Sequence, residues 1–522
     1  MNFSTTDIIV FIVYGVMIVT FGLWISREKK GHKKDSADYF LAGKALPWWA
    51  IGASLIASNI SAEQFIGMSG SGYAIGLGIA SYEWMGGLTL ILVAKYLLPI
   101  FIEKQIFTLP QFLEIRYDSR IRTILAVFWV FLYTLVNLTT VLYLSSLALS
   151  LVLGISMTQS IVGLAAVAVA YSIYGGLKAV AWTDVIQVVF LVIGGLITTY
   201  LALDAVSAGA GPAAGFKVLL EKAPEKFDMI LSKDNEFYKD LPGLGVILGG
   251  LWIANISYFG CNQYIIQRAL AAKNIGEAQK GLAFAGYLKL LLPIIVVIPG
   301  IAAFVLQADI ARYDEAYPWL LGNLVPVGIK GMAFAALIAA ALSSLSSMMN
   351  STATIFTMDI YKPFVNPEAS ETKLVTVGRI VGLTAVVIAV LVAQPLLGGE
   401  EQVFQFIQKY TGYVSPGIVV LFLFGLFWKR TTATGALWAA IASVPFSVVV
   451  DLAFPSMPFL NQMGVVFLAL SALIIAISFA TSQGDSPKAI KIGPSLFKTS
   501  PTFNALAMGI ILILGALYAM FW

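Results

Sequence analysis

The sequence predicts an all-α integral membrane protein of about fourteen transmembrane helices, and three observations carry that reading. Of its 522 residues, 59% are hydrophobic and only 11% are charged. The apolar residues come in blocks of roughly 20, the length a helix needs to cross about 30 Å of hydrocarbon, rather than at amphipathic spacing. The blocks are continuously apolar instead of alternating, which excludes a β-barrel, and unsatisfied backbone in lipid leaves the helix as the other solution.

The first span, 7–26, follows MNFSTTD, which has no positive n-region, and precedes REKKGHKK. It reads as a retained anchor with its N-terminus outside, not as a cleaved signal peptide. Span 47–71 contains a polar interruption within SLIASNISAEQFIGMSGSGY, 54–73. Spans 77–101, 122–150, 158–175 and 183–204 follow before a long polar segment. Span 244–267 carries a second interruption and span 280–305 carries Lys289, whereas 328–358 is rich in small and hydroxyl residues. Spans 374–395 and 403–428 come next. The last three, 433–452, 460–481 and 503–521, are apolar throughout and read as peripheral.

With the N-terminus outside, alternate connections should be cytoplasmic and basic. Residues 27–46 carry six Lys and Arg, and 104–122 carry Lys104, Arg116, Arg120 and Arg122. Later inside loops hold Arg268, Lys273, Lys280, Lys362, Lys373, Lys429, Arg430, Lys488, Lys491 and Lys498. In the outside segment 205–243, five Lys are accompanied by seven acidic residues from Asp204 to Asp240. This pattern predicts an even number of spans with both termini outside. The net charge of +4 reflects loop topology and implies no nucleic-acid partner. The single cysteine, Cys261, forbids an internal disulfide. The single histidine, His32, falls in a basic loop, so neither a soft-metal or imidazole site nor a His-dependent triad is expected.

SNIS at 58–61 and ANIS at 254–257 are the same polar interruption, each followed by Gln and Gly in apolar sequence. The spans that hold them are the second and the seventh, so they run in opposite directions. Inverted repeats with broken first helices point to a secondary-transporter binding site near the midplane. A charge at the bilayer centre costs about 2.5–3.5 kcal/mol on insertion scales, so Asn59, Glu63 and Gln64 must face protein or water. Their bland role would be gluing helices together. A water-filled cavity would also accommodate them, together with Glu83, Lys289 and Asp184, which lie in or at the ends of other spans. The stretch AALIAAALSSLSSMMNSTATIFTMDIY, 335–361, permits close helix packing. Its adjacent hydroxyls at Ser343 and Ser344, beside main-chain carbonyls freed by unwinding near Ala57 to Ile60, would also suit a desolvated monovalent cation. No P-loop is present, so ATP is not the expected energy source.

The phrases SLIASNISAEQFIGMSGSGY, YSIYGGLKAVAWTDVIQVVF, NQYIIQRALAAK and SSLSSMMNSTATIFTMDIY resemble the sodium/solute symporter family, in its sodium/glucose cotransporter branch, with the bacterial sodium/galactose type as the nearest pattern. The resemblance runs nearly end to end, with a shorter outside loop between Val305 and Tyr317. It implies a LeuT-like fold, a five-plus-five inverted repeat whose first helices are discontinuous. Residues 1–46 would form an extra helix and basic cytoplasmic loop, 47–205 the first repeat, 206–243 an extracytoplasmic segment, 244–428 the second repeat and 429–522 the peripheral helices. It further implies a multi-pass protein of the bacterial inner membrane, not an enzyme, that imports a hexose-type sugar such as galactose or glucose with sodium.

By position, the resemblance places sodium on the carbonyls of Ala57, Ile60 and Ala340 and the hydroxyls of Ser343 and Ser344. Sugar hydroxyls would meet Gln64, Glu83, Asn255, Lys289 and Gln408, with Asn59 close by. Tyr258 would be the inner aromatic gate, Met68, Tyr82 and Phe404 the outer hydrophobic gate, and Asp184 a carboxylate on the sodium exit route. A mixed set of amides, a carboxylate and an ammonium can pair a ring of hydroxyls, each both donor and acceptor. Gly86 and Phe259 depart from the galactose pattern, where a serine and a tryptophan stand, which leaves glucose, another hexose or a cyclic polyol open. A sodium-coupled carrier of an organic anion or amino acid is the rival reading, weakened by the lack of an intramembrane Arg in the pocket. A channel would need a continuous polar pore. The expected partners are sugar, sodium and the bilayer, with no obligatory protein partner.

Overall fold

Every apolar block of the sequence is helical in the computed structural model, which describes residues 4–25, 36–61, 63–398 and 403–522. Most of the basic run, with His32, lies outside the described residues, and so does the side chain of Glu63. The helices used below are α1 (Thr5–Ile25), α2 (Trp48–Asn59), α3 (Ser81–Leu92), α4 (Met157–Val206), α5 (Gly250–Gly260), α6 (Gln263–Leu270), α7 (Ile275–Val305), α8 (Ile329–Ile355), α9 (Val403–Gly412) and α10 (Ser415–Phe427). No strand is present among the described residues.

Ten helical segments among the described residues are long and apolar enough to cross a membrane, and the α9–α10 pair, bent by 47°, would make eleven. The predicted spans 47–71, 158–175 and 244–267 fall outside that number because they are broken or short. Each interruption has a local cause. After α2 the chain turns extended at Ile60 (φ −78°, ψ 90°). The N–H of Ser61 bonds Asn59 O at 3.1 Å and Gln64 Oε1 at 3.0 Å, instead of Ala57 O four residues back. The break therefore starts at Ile60, while Ala57 to Asn59 stay helical. The ANIS segment does not unwind: 254–257 belongs to α5, and the break falls after it at Cys261 and Asn262. In α4 the chain bends at Gly176 (φ 63°, ψ −165°), where a Cβ would stand 2.6 Å from Tyr39 O and only glycine fits.

The buried α8 packs between α1 and α4, and α7 lies along α2 and α3. The Ala and Ser run of α8 lets these backbones approach closely. Asp7 on α1 accepts from the N–H groups of Gly328 (2.7 Å) and Gly331 (2.9 Å), so α1 also satisfies free donors at the start of α8. At the other end of the chain, Met229 N and Ile230 N donate to Phe521 O (2.9 Å) and Trp522 O (3.3 Å). The end of α7 meets the same segment, with Lys226 Nζ over the Phe304 ring at 4.4 Å.

Two basic residues expected in cytoplasmic loops are buried instead. Arg116 donates to Gly425 O (2.8 Å), Thr431 O (3.0 Å) and Trp428 O (3.1 Å), filling the carbonyls left bare where α10 ends. Arg268 on α6 is buried in the bundle. The loop-charge count could not separate a guanidinium at the water surface from one that closes a helix end or a buried charge pair.

Candidate functional site

The breaks of α2 and α5, the start of α3, the middle of α7 and the bend between α9 and α10 surround a cavity walled by polar and aromatic side chains. Seven residues predicted to contact the solute line it: Asn59, Gln64, Glu83, Asn255, Tyr258, Lys289 and Gln408. Tyr82 and Phe404 also line it, while Met68 is buried behind the wall.

Much of the wall is already paired. Glu83 and Lys289 form an ion pair with side-chain exposures of 4% and 1%, and the Lys289 ammonium lies over the Phe259 ring at 5.0 Å. Asn59 Nδ2 donates to the Tyr258 hydroxyl at 3.0 Å, and Tyr264 on α6 donates to the same oxygen. On the side of α9, Tyr82 and Phe404 meet edge to face at 5.4 Å, which closes that mouth.

Four wall atoms are buried with no hydrogen-bond partner among the described residues: Asn59 Oδ1, Tyr82 OH, Asn137 Oδ1 and Asn255 Nδ2. An unsatisfied buried group costs about 1–3 kcal/mol, so this set of acceptors and donors is poised for a polar guest. Asn137 was missed in the sequence, although an amide in the apolar run FLYTLVNLTTVLYL is the same signal as Asn59.

Gly86 and Phe259, the two departures from the galactose pattern, touch each other. A Cβ on Gly86 would stand 2.9 Å from Phe259 Cε2 and 3.3 Å from Cζ, so the ring fills the space a side chain there would take.

The residues predicted to hold sodium lie where α8 crosses the α2 break. Ser344 Oγ donates to Ser58 O at 3.0 Å, and Ser343 Oγ donates to Asp184 Oδ1. Ala57, Ile60 and Ala340 are buried there. Both serines spend their protons on neighbours, which leaves oxygen lone pairs for a cation. Asp184 also accepts from Ser54 Oγ (2.5 Å) and Ser58 Oγ (3.5 Å), and the Arg268 guanidinium faces it at 3.7 Å. Among the described residues no Arg lines the cavity, and Arg268 sits on the Asp184 side of the bundle.

The profile of the sodium:solute symporter family matches residues 39–443. A sodium/glucose cotransporter of Vibrio parahaemolyticus is 55% identical over 99% of this chain and 98% of its own. The human sodium/myo-inositol cotransporter 2 is 35% identical over 85% of this chain and 69% of its own. Among solved structures, the substrate-bound outward-open state of a Na+-coupled sialic acid symporter superposes with a TM-score of 0.81 at 24% identity, covering 92% of this chain and 99% of that one. A nucleobase-cation-symport-1 family transporter in a closed conformation gives 0.55 at 14% identity, covering 87% and 98%. These two likenesses concern the fold.

Proposed function

The chain belongs to the sodium:solute symporter family, and on that footing we propose that it is a sodium-coupled secondary active symporter that imports a hexose-type sugar by alternating access. The observation that carries the solute reading is the set of four unpartnered polar atoms on the cavity wall beside the Glu83–Lys289 pair. Two amide acceptors, one amide donor and one phenol match a ring of hydroxyls, each of which both gives and takes a hydrogen bond. The relative at 55% identity is a sodium/glucose cotransporter, which supports the same class.

In this reading Asn59, Gln64, Glu83, Asn255, Lys289 and Gln408 bind the sugar, with Asn137 added. Tyr258 is the inner gate, and Met68, Tyr82 and Phe404 form the outer gate. Sodium is held by Ala57, Ile60, Ala340, Ser343 and Ser344, and Asp184 takes it on exit. Sodium would fix the α2 break against α8 and order the cavity wall, because Ser344 and Ser58 already join the two elements. Coupling requires sodium to prefer one conformation over another. One charge moving down about 100 mV supplies roughly 2.3 kcal/mol, and a tenfold gradient adds about 1.4 kcal/mol. Together they sustain a sugar ratio of a few hundred at one-to-one coupling, by roughly 1.4 kcal/mol per tenfold.

The proposed architecture is fourteen helices in a five-plus-five inverted repeat, with domain limits at 46, 205, 243 and 428, in the inner membrane with both termini outside. A cyclic polyol is the second reading. The Gly86–Phe259 contact removes a side chain that the galactose pattern uses, and a relative at 35% identity is a sodium/myo-inositol cotransporter.

Proteoliposome uptake of a labelled hexose, competed by hexoses, polyols and organic acids with and without sodium, tests the proposal. Sodium-dependent competition by one hexose supports it, and preferential competition by inositol selects the second reading. Competition by acids alone, or uptake indifferent to sodium, refutes both. Gln64→Ala is expected to weaken sugar binding far more than sodium binding.

A further inference from the structure

Outside the cavity, Asp184 and Arg268 form a buried charge pair, both with 0% side-chain exposure. Four elements converge on them. Ser54 and Ser58 come from α2, Asp184 from α4, Ser343 and Ser347 from α8, and Arg268 from α6. The carboxylate accepts hydrogen bonds from the hydroxyls of Ser54, Ser58 and Ser343. The guanidinium donates to Ser54 Oγ at 3.1 Å, to Ser347 Oγ and to Tyr264 O. Ser347 and Ser58 share a hydrogen bond at 3.1 Å, which closes the ring.

A buried carboxylate needs a positive charge nearby. Among the described residues Arg268 meets this need, and Asp184 also holds Ser343, one of the two hydroxyls offered to sodium. The short helix that carries Arg268 also carries Tyr264, whose hydroxyl bonds the gate residue Tyr258. The same helix is held on its other faces. Gln263 Oε1 accepts from Leu109 N (2.9 Å), its Nε2 donates to Phe107 O (3.1 Å), and Gln267 bonds Phe40 O and Ser351 Oγ. A displacement of Arg268 would therefore be passed to the tyrosine gate and to the loops that flank α6.

We propose that Arg268 is a tethered counter-ion, a positioning residue that competes with sodium for the field of Asp184 and couples sodium release to movement of the Tyr264–Tyr258 gate. With sodium absent, the guanidinium satisfies Asp184. When sodium binds at Ser343 and Ser344, two cations share one carboxylate, and their repulsion loosens the hold of Arg268. Return of the guanidinium to Asp184 then favours sodium departure. The inference rests on the sodium-coupled reading of this site and adds to it the charge that sets sodium affinity.

The test is the sodium concentration for half-maximal sugar uptake, with 22Na binding alongside, in proteoliposomes of the full chain. Arg268→Gln removes the competing charge and is expected to tighten apparent sodium affinity about tenfold while slowing turnover. Asp184→Asn leaves an unopposed guanidinium beside the sodium oxygens and is expected to weaken sodium affinity at least tenfold. The double variant, Asp184→Asn with Arg268→Gln, should return to within about threefold of the parent, and Arg268→Lys should keep parent affinity with altered turnover. A purely structural pair would make both single variants worse in the same direction and the double no better. That outcome overturns the inference, as does a double variant as impaired as Asp184→Asn. If Arg268→Gln fails to insert, the opposite shift of Asp184→Asn and its correction in the double variant decide the matter. A parent protein whose sugar uptake ignores sodium refutes the functional reading, whereas sodium-dependent uptake with unshifted variants refutes the counter-ion alone.

Discussion

The Glu83–Lys289 pair gives the sharpest quantitative test of the cavity. Both side chains are almost wholly buried, and Lys289 also lies over the Phe259 ring. Lys289→Met strands the Glu83 carboxylate in a site built for two charges. Removing one partner of a buried ion pair costs about 3–5 kcal/mol, and the lost cation–π contact adds about 0.5–2 kcal/mol. Against a total stability of about 5–15 kcal/mol, that is a large fraction. Glu83→Gln with Lys289→Met removes both charges and should recover most of the loss. Cys261, the single cysteine of the chain and fully buried, supplies the assay. A thiol-reactive fluorophore labels it only as the bundle opens, so the temperature of labelling in detergent reports unfolding. The single variants are expected to label at clearly lower temperature and the double variant near the parent. Equal labelling temperatures for all four proteins, or a double variant as unstable as the sum of the singles, would refute the buried pair. Uptake separates the roles, because the double variant regains stability yet lacks two groups assigned to the solute and should stay inactive.

Further outcomes follow from individual contacts. Ser344→Ala is expected to abolish sodium-stimulated uptake while leaving the protein inserted, and unchanged sodium dependence would remove Ser344 from the cation site. Gly86→Ser drives a Cβ to 2.9 Å from Phe259 and should lower apparent sugar affinity about tenfold; Phe259→Leu in the same chain should restore it, and failure of that rescue would separate the two positions. On the loop between α7 and α8, burial pushes the Asp314 carboxyl up to about 7 from 3.8, against the pull of Val403 N–H and Arg312. The folded loop therefore keeps a proton that the opened loop releases. Its stabilising contribution is full below about pH 4 and is lost as pH rises through about 7. Hydrogen exchange of residues 306–316 should quicken across that window, and Asp314→Asn should remove the dependence.

Much of this protein follows from the sequence alone, because the bilayer leaves the backbone so few choices. Apolar blocks of helix length must become helices, and an amide or carboxylate inside one must find a cavity or a partner. That reasoning selects Asn59, Gln64, Glu83 and Lys289 without any coordinates, and the structure brings them to one wall. Where the helices break is less legible. The chain opens at Ile60 and at Cys261–Asn262 rather than within both polar tetrapeptides, because a break is placed by whichever neighbour can take up the freed N–H and carbonyl groups. Charge partnership is decided by tertiary structure in the same way. Arg116 and Arg268 have the composition of loop cations, yet one closes the end of α10 and the other faces Asp184 from a helix far along the chain. Sequence names the charges, but only the folding of distant segments against one another determines which of them meets water and which meets its counter-charge.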